Sequence, residues 1–313
     1  MKSVLVSVLI SVYNSEKYVE QAIRSIMNQT YKNLEILIAD DCSKDSSFEI
    51  LQKLAKEDSR VQLIRNEKNL KLAKSLNKLI KLAKGKYVAR MDSDDIALPE
   101  RIEKQVKFLE QNPGIDFCGT NAIWINEHNR KLGNSIVPIT NSDCKYFFRY
   151  GNPFIHPSVM LKISVLKENL YSESFKYAQD YELWGRLLFK LHIIGCNIPD
   201  RLMLYRISSI QSSSSHREEQ SRLAASVLDL YEIMEMEKED LELHKSLFFD
   251  MKWKRLTFSS LCLNLAYIKK SRTKYSTIIY VKLLKMSVKK INPFMILYCL
   301  ISFPKLFIAY SVL

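Results

Sequence analysis

The chain has 313 residues and a formal net charge of +13, with 47% hydrophobic and 26% charged residues. That composition excludes a disordered or collagen-like chain, and the length suits one large α/β domain with a smaller companion. Six scattered cysteines without a C-x-x-C pair argue against a zinc ribbon or a disulfide scaffold, and for a reducing compartment.

The first ten residues after Lys2, SVLVSVLISV, are rich in β-branched side chains and predict a strand buried on both faces, not a signal peptide. Asn14 or Ser15 can cap a helix whose apolar positions are Val19, Ala22, Ile23, Ile26 and Met27. A second strand follows at 34–39 and exits through Asp40 and Asp41. Ser46 and Glu49 have capping-box spacing ahead of a helix carrying Ile50, Leu51, Leu54 and Ala55. Residues 61–64 predict a third strand, and Leu72 to Ala83 a third helix closed by Gly85. YVARM predicts a fourth strand ending at Asp92. Pro99 suits the first residue of a helix carrying Ile102, Val106 and Leu109, and another strand begins at 115–119.

Crossovers of this size between short buried strands predict a largely parallel, Rossmann-like sheet with helices on both faces. Ligands on such sheets bind beyond the carboxyl ends of the strands. Asp40–Asp41 and Asp92-Ser93-Asp94-Asp95 both lie there, so both acid groups are expected to face one crevice.

Neither G-x-G-x-x-G after the first strand nor G-x-x-x-x-G-K-[ST] is present, which disfavours hydride transfer and P-loop chemistry. There is no G-x-S-x-G elbow and no H-E-x-x-H. The D-S-D-D cluster remains. Its hard oxygens suit Mg²⁺ or Mn²⁺ shared with phosphate oxygens; a solvated acidic loop ahead of Pro99 is the plainer alternative.

The segments SVLISVYNSEKYVEQAIRSIMNQTYKNLEILIADDCSKDSS, NEKNLKLAKSLN and GKYVARMDSDDIALPERIEKQVKFLE resemble glycosyltransferase family 2. NPFIHPSVML and YAQDYELWGRLL resemble the acceptor half of the same domain, so the likeness covers roughly residues 3–210. It implies a GT-A fold and an inverting transfer from a nucleotide sugar, with uridine diphosphate the favoured carrier. It further implies that Ser11, Tyr13 and Asp40 meet the nucleobase. Asp92 would meet the ribose or the metal, and Asp94 would ligate the metal directly. Arg90 either offsets these acids or forms a helix-facing salt bridge.

Asp180 matches the family's general base, with a helix N-cap as the alternative role. The position before it is Gln179 where the family has Glu, which leaves the base in place but removes an acid that could support it. His156, between two prolines around FIHPS, falls on the acceptor side in either an orienting or a structural role. Trp184, one helical turn after Asp180, would stack on an acceptor sugar or fill the core beneath it. Two other classes of function stay open at this point. One is a catalytically silent sugar- or nucleotide-binding protein, because Gln179 breaks the acid pair. The other is a nucleotidyltransferase, which would need a basic, glycine-rich first loop that this sequence lacks.

Charge divides the chain. All 34 acidic residues lie at or before Asp250, whereas residues 251–313 hold 12 Lys or Arg and no acid. Residues 1–210 are expected to form the transferase domain. Residues 211–313 are expected to form a helical extension, after the polar stretch SSIQSSSSH. Basic residues interleaved with apolar clusters such as YSTIIYVKLL suit an anionic membrane surface. The final apolar segment either lies on the membrane, spans it or folds as a buried hairpin. The Leu, Ile and Tyr content argues against a nucleic-acid partner. The expected setting is cytoplasmic, on the inner face of the inner membrane, with a saccharide or lipid-linked acceptor; oligomeric state is not legible.

Overall fold

The computed structural model describes residues 3–208, 216–233 and 245. Strands β1 (Val6–Val12), β2 (Leu34–Asp40), β3 (Val61–Arg65) and β4 (Tyr87–Met91) lie parallel in the order β3-β2-β1-β4. The connections are α1 (Val19–Met27), α2 (Ser47–Glu57) and α3 (Leu72–Leu82), and α4 (Arg101–Gln111) follows β4. Side chains alternate across a strand, and the two faces of β1 show the consequence. Val6, Val8, Ile10 and Val12 pack with Ile23, Leu51, Leu54 and Ile102. Leu9 and Leu37 meet Leu76, Leu79 and Ile80 of α3 on the opposite face. Strands β1, β2 and β4 are therefore buried on both sides, as their near-continuous apolar runs predict, whereas β3 at the sheet edge is partly exposed.

The second half extends the same sheet with mixed polarity. Past the two-residue strand β5 (Ile96–Ala97) come β6 (Phe117–Ile125) and β7 (Lys131–Asn134), which form a hairpin. Helix α5 (Asn141–Phe148) leads to a 3₁₀ turn at His156–Ser158, then to β8 (Met160–Lys162) and α6 (Ile163–Glu168). Helix α7 (Gln179–Gly185) runs on into a π turn at Arg186–Lys190, and β9 (Gly195–Arg206) closes the sheet. β8 pairs antiparallel with both β4 and β6, β9 runs parallel to β6, and β5 pairs antiparallel with β9. The sheet is a mixed one, with a parallel N-terminal half flanked by helices on both faces.

Some local expectations shift. Asn14 adopts a left-handed φ of 49°, and α1 begins only at Val19, so neither Asn14 nor Ser15 caps it. The Ser15 hydroxyl instead meets Ser93 at 2.8 Å, tying the first loop to the D-S-D-D turn. Ser46 makes no side-chain cap bond; its N–H donates to Glu16 at 2.9 Å. Pro99 precedes α4 by two residues, and the helix starts at Arg101.

The last described helix, α8 (Arg217–Leu230), falls within the expected extension and packs on α7. Gly185 makes this approach possible. A Cβ there would lie 2.8 Å from Val227 Cγ1, 3.0 Å from Tyr231 Cδ2 and 3.1 Å from Phe148 Cζ. Tyr231, just past α8, donates its hydroxyl to buried Glu182 at 2.5 Å, and Arg186 closes the same group from Nε at 2.8 Å. Among the described residues no helix is long and apolar enough to cross a membrane. The strongly basic part of the expected extension, 251–313, lies outside the described residues.

Candidate active site

A cleft of about 920 Å³ opens at the carboxyl ends of β1 and β4. One wall comes from the parallel half of the sheet and carries Ser11, Tyr13, Asp41, Arg90, Asp92 and Asp94. The other comes from the second half and carries Asn152, His156, Tyr177, Gln179 and Asp180, with His216 and Gln220 from the start of α8.

The D-S-D-D turn sits between the walls. One carboxylate oxygen from each of Asp92, Asp94 and Asp95 lies within 4.8 Å of the others. Asp92 forms an ion pair with Arg90, which β4 projects into the cleft and which is 4% exposed. Arg206, at the end of β9, pins the turn from behind. Its backbone N–H donates to Asp95 at 2.7 Å, and its Nε donates to the Asp94 carbonyl at 2.8 Å. Asp95 is buried, and its Oδ2 finds no hydrogen-bond donor among the described residues. Burial pushes the Asp95 carboxyl well above the ordinary carboxylate range, and the charges of Asp94 and Asp92 push it further. Three crowded carboxylates, one with an orphaned oxygen, are a hard-oxygen donor set of the kind that fits a divalent cation.

The nucleobase contact expected at Asp40 is not where that residue lies. Its side chain is completely buried behind the cleft wall. There it accepts the Ser43 N–H at 3.3 Å and faces Arg65 of β3 at 3.5 Å. The next residue, Asp41, lines the cleft instead. It takes the amides of Leu70 at 2.8 Å and Lys71 at 2.9 Å, and the Asn66 and Ser75 side chains at 2.9 and 3.0 Å. Those bonds fold the 66–71 segment into the wall, where Asn69 and Lys71 join the lining. The pairing of Asp40 with Arg65 across β2 and β3 explains the exchange: an acid in register with an arginine is held against the neighbouring strand.

On the opposite wall, Asp180 is half-buried in the first turn of α7. The N-cap position belongs to Ala178, which has a left-handed φ of 59°, so Asp180 is not the cap. Burial raises the Asp180 carboxyl above its usual range. The backbone N–H of Tyr181, the charge of Arg90, its own N–H and a bond from Asn152 act the other way. Gln179 also lines the cleft and is 9% exposed. His156 faces the cleft with Nε2 2.8 Å from the Tyr171 hydroxyl. Burial, then the Arg90 charge, holds its imidazole well below the ordinary histidine range, so it is neutral at pH 7. Trp184 does not reach the cleft. It is fully buried, stacked on Phe117 at 5.3 Å and edge-on to His156 at 6.1 Å. Of its two expected roles, the structure gives it the core one.

Sequence reasoning missed several cleft residues. Asn152 and Tyr177 carry no motif of their own. Tyr177 stacks on His216 at 4.5 Å, a contact that joins the α7 loop to α8 across 39 residues. Asp41 was in view as half of an acid pair, and only the direction of the strand distinguishes it from Asp40.

A family model described as "Glycosyl transferase family 2" matches residues 7–168. An uncharacterized glycosyltransferase of Haemophilus influenzae is 34% identical over 235 residues, covering 71% of this chain and 72% of that protein. The O-antigen biosynthesis glycosyltransferase WbnJ of Escherichia coli is 35% identical over 219 residues, covering 67% and 83%. Among solved structures, S. aureus TarS 1-349 in complex with UDP-GlcNAc superimposes with a TM-score of 0.61 at 16% identity, over 96% of this chain and 91% of that one. The mannosyltransferase PcManGT from Pyrobaculum calidifontis, in complex with GDP-Man and Mn2+, gives 0.59 at 14% identity, over 98% and 86%. At such identities the likeness is one of fold, and the fold is GT-A.

Proposed function

The chain belongs to glycosyl transferase family 2 and is a glycosyltransferase, and from that premise we propose an inverting transfer from a nucleoside-diphosphate sugar, with Asp180 as general base. The observation that carries this reading is the placement of Asp180 across one cleft from the Asp92–Asp94–Asp95 cluster. Ser11, Tyr13 and Asp41 hold the nucleobase side, and Asp92 faces the ribose. A divalent ion, Mg²⁺ or Mn²⁺, held by Asp94 with Asp92, would supply positive charge to the diphosphate as it departs. Support for a metal comes from the orphaned Asp95 oxygen and from the Mn2+ in the PcManGT complex. Support for a uridine carrier comes from the UDP-GlcNAc in the TarS complex.

The reaction requires one base. An acceptor hydroxyl attacks the anomeric carbon from the face opposite the diphosphate, and its proton passes to Asp180. The bond from the anomeric carbon to the diphosphate oxygen breaks, and its electron pair leaves with the nucleotide. Gln179 hydrogen-bonds the acceptor without taking a proton. Neutral His156 stays bonded to Tyr171 and orients the acceptor side. The acceptor is a saccharide or a lipid-linked saccharide of surface polysaccharide assembly, a reading that the O-antigen assignment of WbnJ supports. The basic, apolar residues 251–313 would seat the enzyme on an anionic cytoplasmic membrane face.

The test is nucleotide release from UDP-glucose, UDP-galactose, UDP-N-acetylglucosamine and GDP-mannose, with Mn²⁺ and with a chelator. Metal-dependent release from at least one donor is expected. No release from any of the four, with tight nucleotide binding intact, would favour a silent binding protein.

A further inference from the structure

Among the described residues, Asp180 has one hydrogen-bonding side chain from outside its own helix. The loop between α5 and the 3₁₀ turn brings Asn152 to the cleft, and Asn152 Nδ2 donates to Asp180 Oδ2 at 2.7 Å. The other end of the amide is spoken for: Asn152 Oδ1 accepts the Phe154 N–H at 3.1 Å. A backbone N–H can only donate, so this bond fixes the amide with its oxygen toward Phe154 and its NH₂ toward the carboxylate. The anchor is firm. Phe154 is 2% exposed, with its ring 4.8 Å from Phe117 and 5.4 Å from Trp184. Trp184 lies one turn along α7 from Asp180, so the same aromatic cluster supports both partners.

We propose that Asn152 is a positioning residue for the general base, setting the rotation of the Asp180 carboxylate toward the acceptor hydroxyl. The inference rests on the base role proposed above. An amide suits the task better than a charged donor. It holds one carboxylate oxygen without neutralising the group, and it does not itself ionise in the pH range of turnover. The bond also favours the ionised carboxylate, against the burial that disfavours it. The other ionisable groups around Asp180 are Arg90 on β4, Tyr171 ahead of α7 and Tyr181 on α7 itself. His156, Lys176, Tyr177 and His216 line the same cleft. None of these is altered by a change at position 152.

Two substitutions separate the possibilities. Asn152→Asp is isosteric and keeps an acceptor for the Phe154 N–H, but it replaces the donor to Asp180 with a second carboxylate. Asn152→Ala removes both bonds. The first readout needs no substrate: the ¹³C signal of the Asp180 carboxyl carbon is followed with pH in the full chain and assigned by its loss in Asp180→Asn. The midpoint should move to higher pH in Asn152→Ala and further in Asn152→Asp. The second readout is nucleotide release from whichever of the four donors above turns over fastest. Here kcat should fall about 10- to 10²-fold in both variants while KM for the donor holds, as misorientation of a reacting group predicts. Native midpoints and native kcat in both variants would overturn the positioning role. Asp180→Asn distinguishes the two failures. Native turnover in that variant ends the base assignment itself, whereas a silent Asp180→Asn beside native Asn152 variants ends only the present inference.

Discussion

In its proposed role as base, Asp180 combines two properties that usually conflict, partial burial and a need to be charged. Because its folded carboxyl is raised above the unfolded value, the native state still holds a proton in that interval that the unfolded state has lost. Stability therefore falls with rising pH from the ordinary carboxylate range up to the raised value, and stays lower above it. Asp180→Asn removes that cost. The variant should melt at a higher temperature than the native chain at neutral pH, and the advantage should vanish in acid, where the Asp180 carboxyl is protonated in the folded and the unfolded state alike. Melting curves across pH test this. The same change should cut turnover about 10²–10⁴-fold. Asp94→Ala should abolish the part of uridine diphosphate affinity that depends on Mn²⁺, measured by titration calorimetry with and without the ion. Equal affinities under both conditions in the native protein would remove the metal role. At this scale the placement of a residue in the cleft was legible where a motif names it, as with Asp92, Asp94 and Asp180. It was not legible where direction decides, as with Asp40 and Asp41, because an acid at a strand end faces the cleft or its neighbouring strand according to what lies in register.

The elements that hold the site come from distant parts of the chain. The parallel half was readable because each crossover carries its own apolar period: the stripes of α1, α2 and α3 matched the helices found. Strands β5 and β8, of two and three residues, carry no period, and β9 is defined by its pairing with β6 and not by its composition. Yet β9 delivers Arg206, whose guanidinium reaches the Asp94 carbonyl through Nε, the Asn126 carbonyl through Nη1 at 2.9 Å and the ring of Tyr18 at 4.2 Å. Lysine cannot match several directions at once. Arg206→Lys should therefore weaken Mn²⁺-dependent nucleotide binding while the metal-free component is kept, a difference readable by the same calorimetry. Helix α8 makes a second such case. Gly185→Ala would place a methyl group against Val227 and Tyr231 and force α8 away from α7, at a cost of about 1–3 kcal/mol. Urea unfolding should show that loss, and Tyr231→Phe should show a smaller one, since it leaves the ring in place and removes the bond to Glu182.

The molecule as a whole sets a wall from the parallel half, proposed above to hold the donor, against a wall from the mixed half, proposed to face the acceptor, with α8 completing the second. The charge pattern adds a third part: residues 251–313, with 12 basic and no acidic residues, are predicted to bring the full chain to anionic vesicles and to release it at high salt. Cosedimentation with anionic and with neutral vesicles checks this, and equal binding to both would contradict it. The central claim is direct displacement at the anomeric carbon, and it can be read without knowing the acceptor. Proton NMR of an α-linked donor consumed by the enzyme, with water as acceptor, reports the anomer of the sugar at the moment of release. Inversion with Asp180 as base predicts that the β-anomer appears first and that its release slows about 10²–10⁴-fold with Asp180→Asn. First appearance of the α-anomer, or unchanged release by Asp180→Asn, would contradict the account.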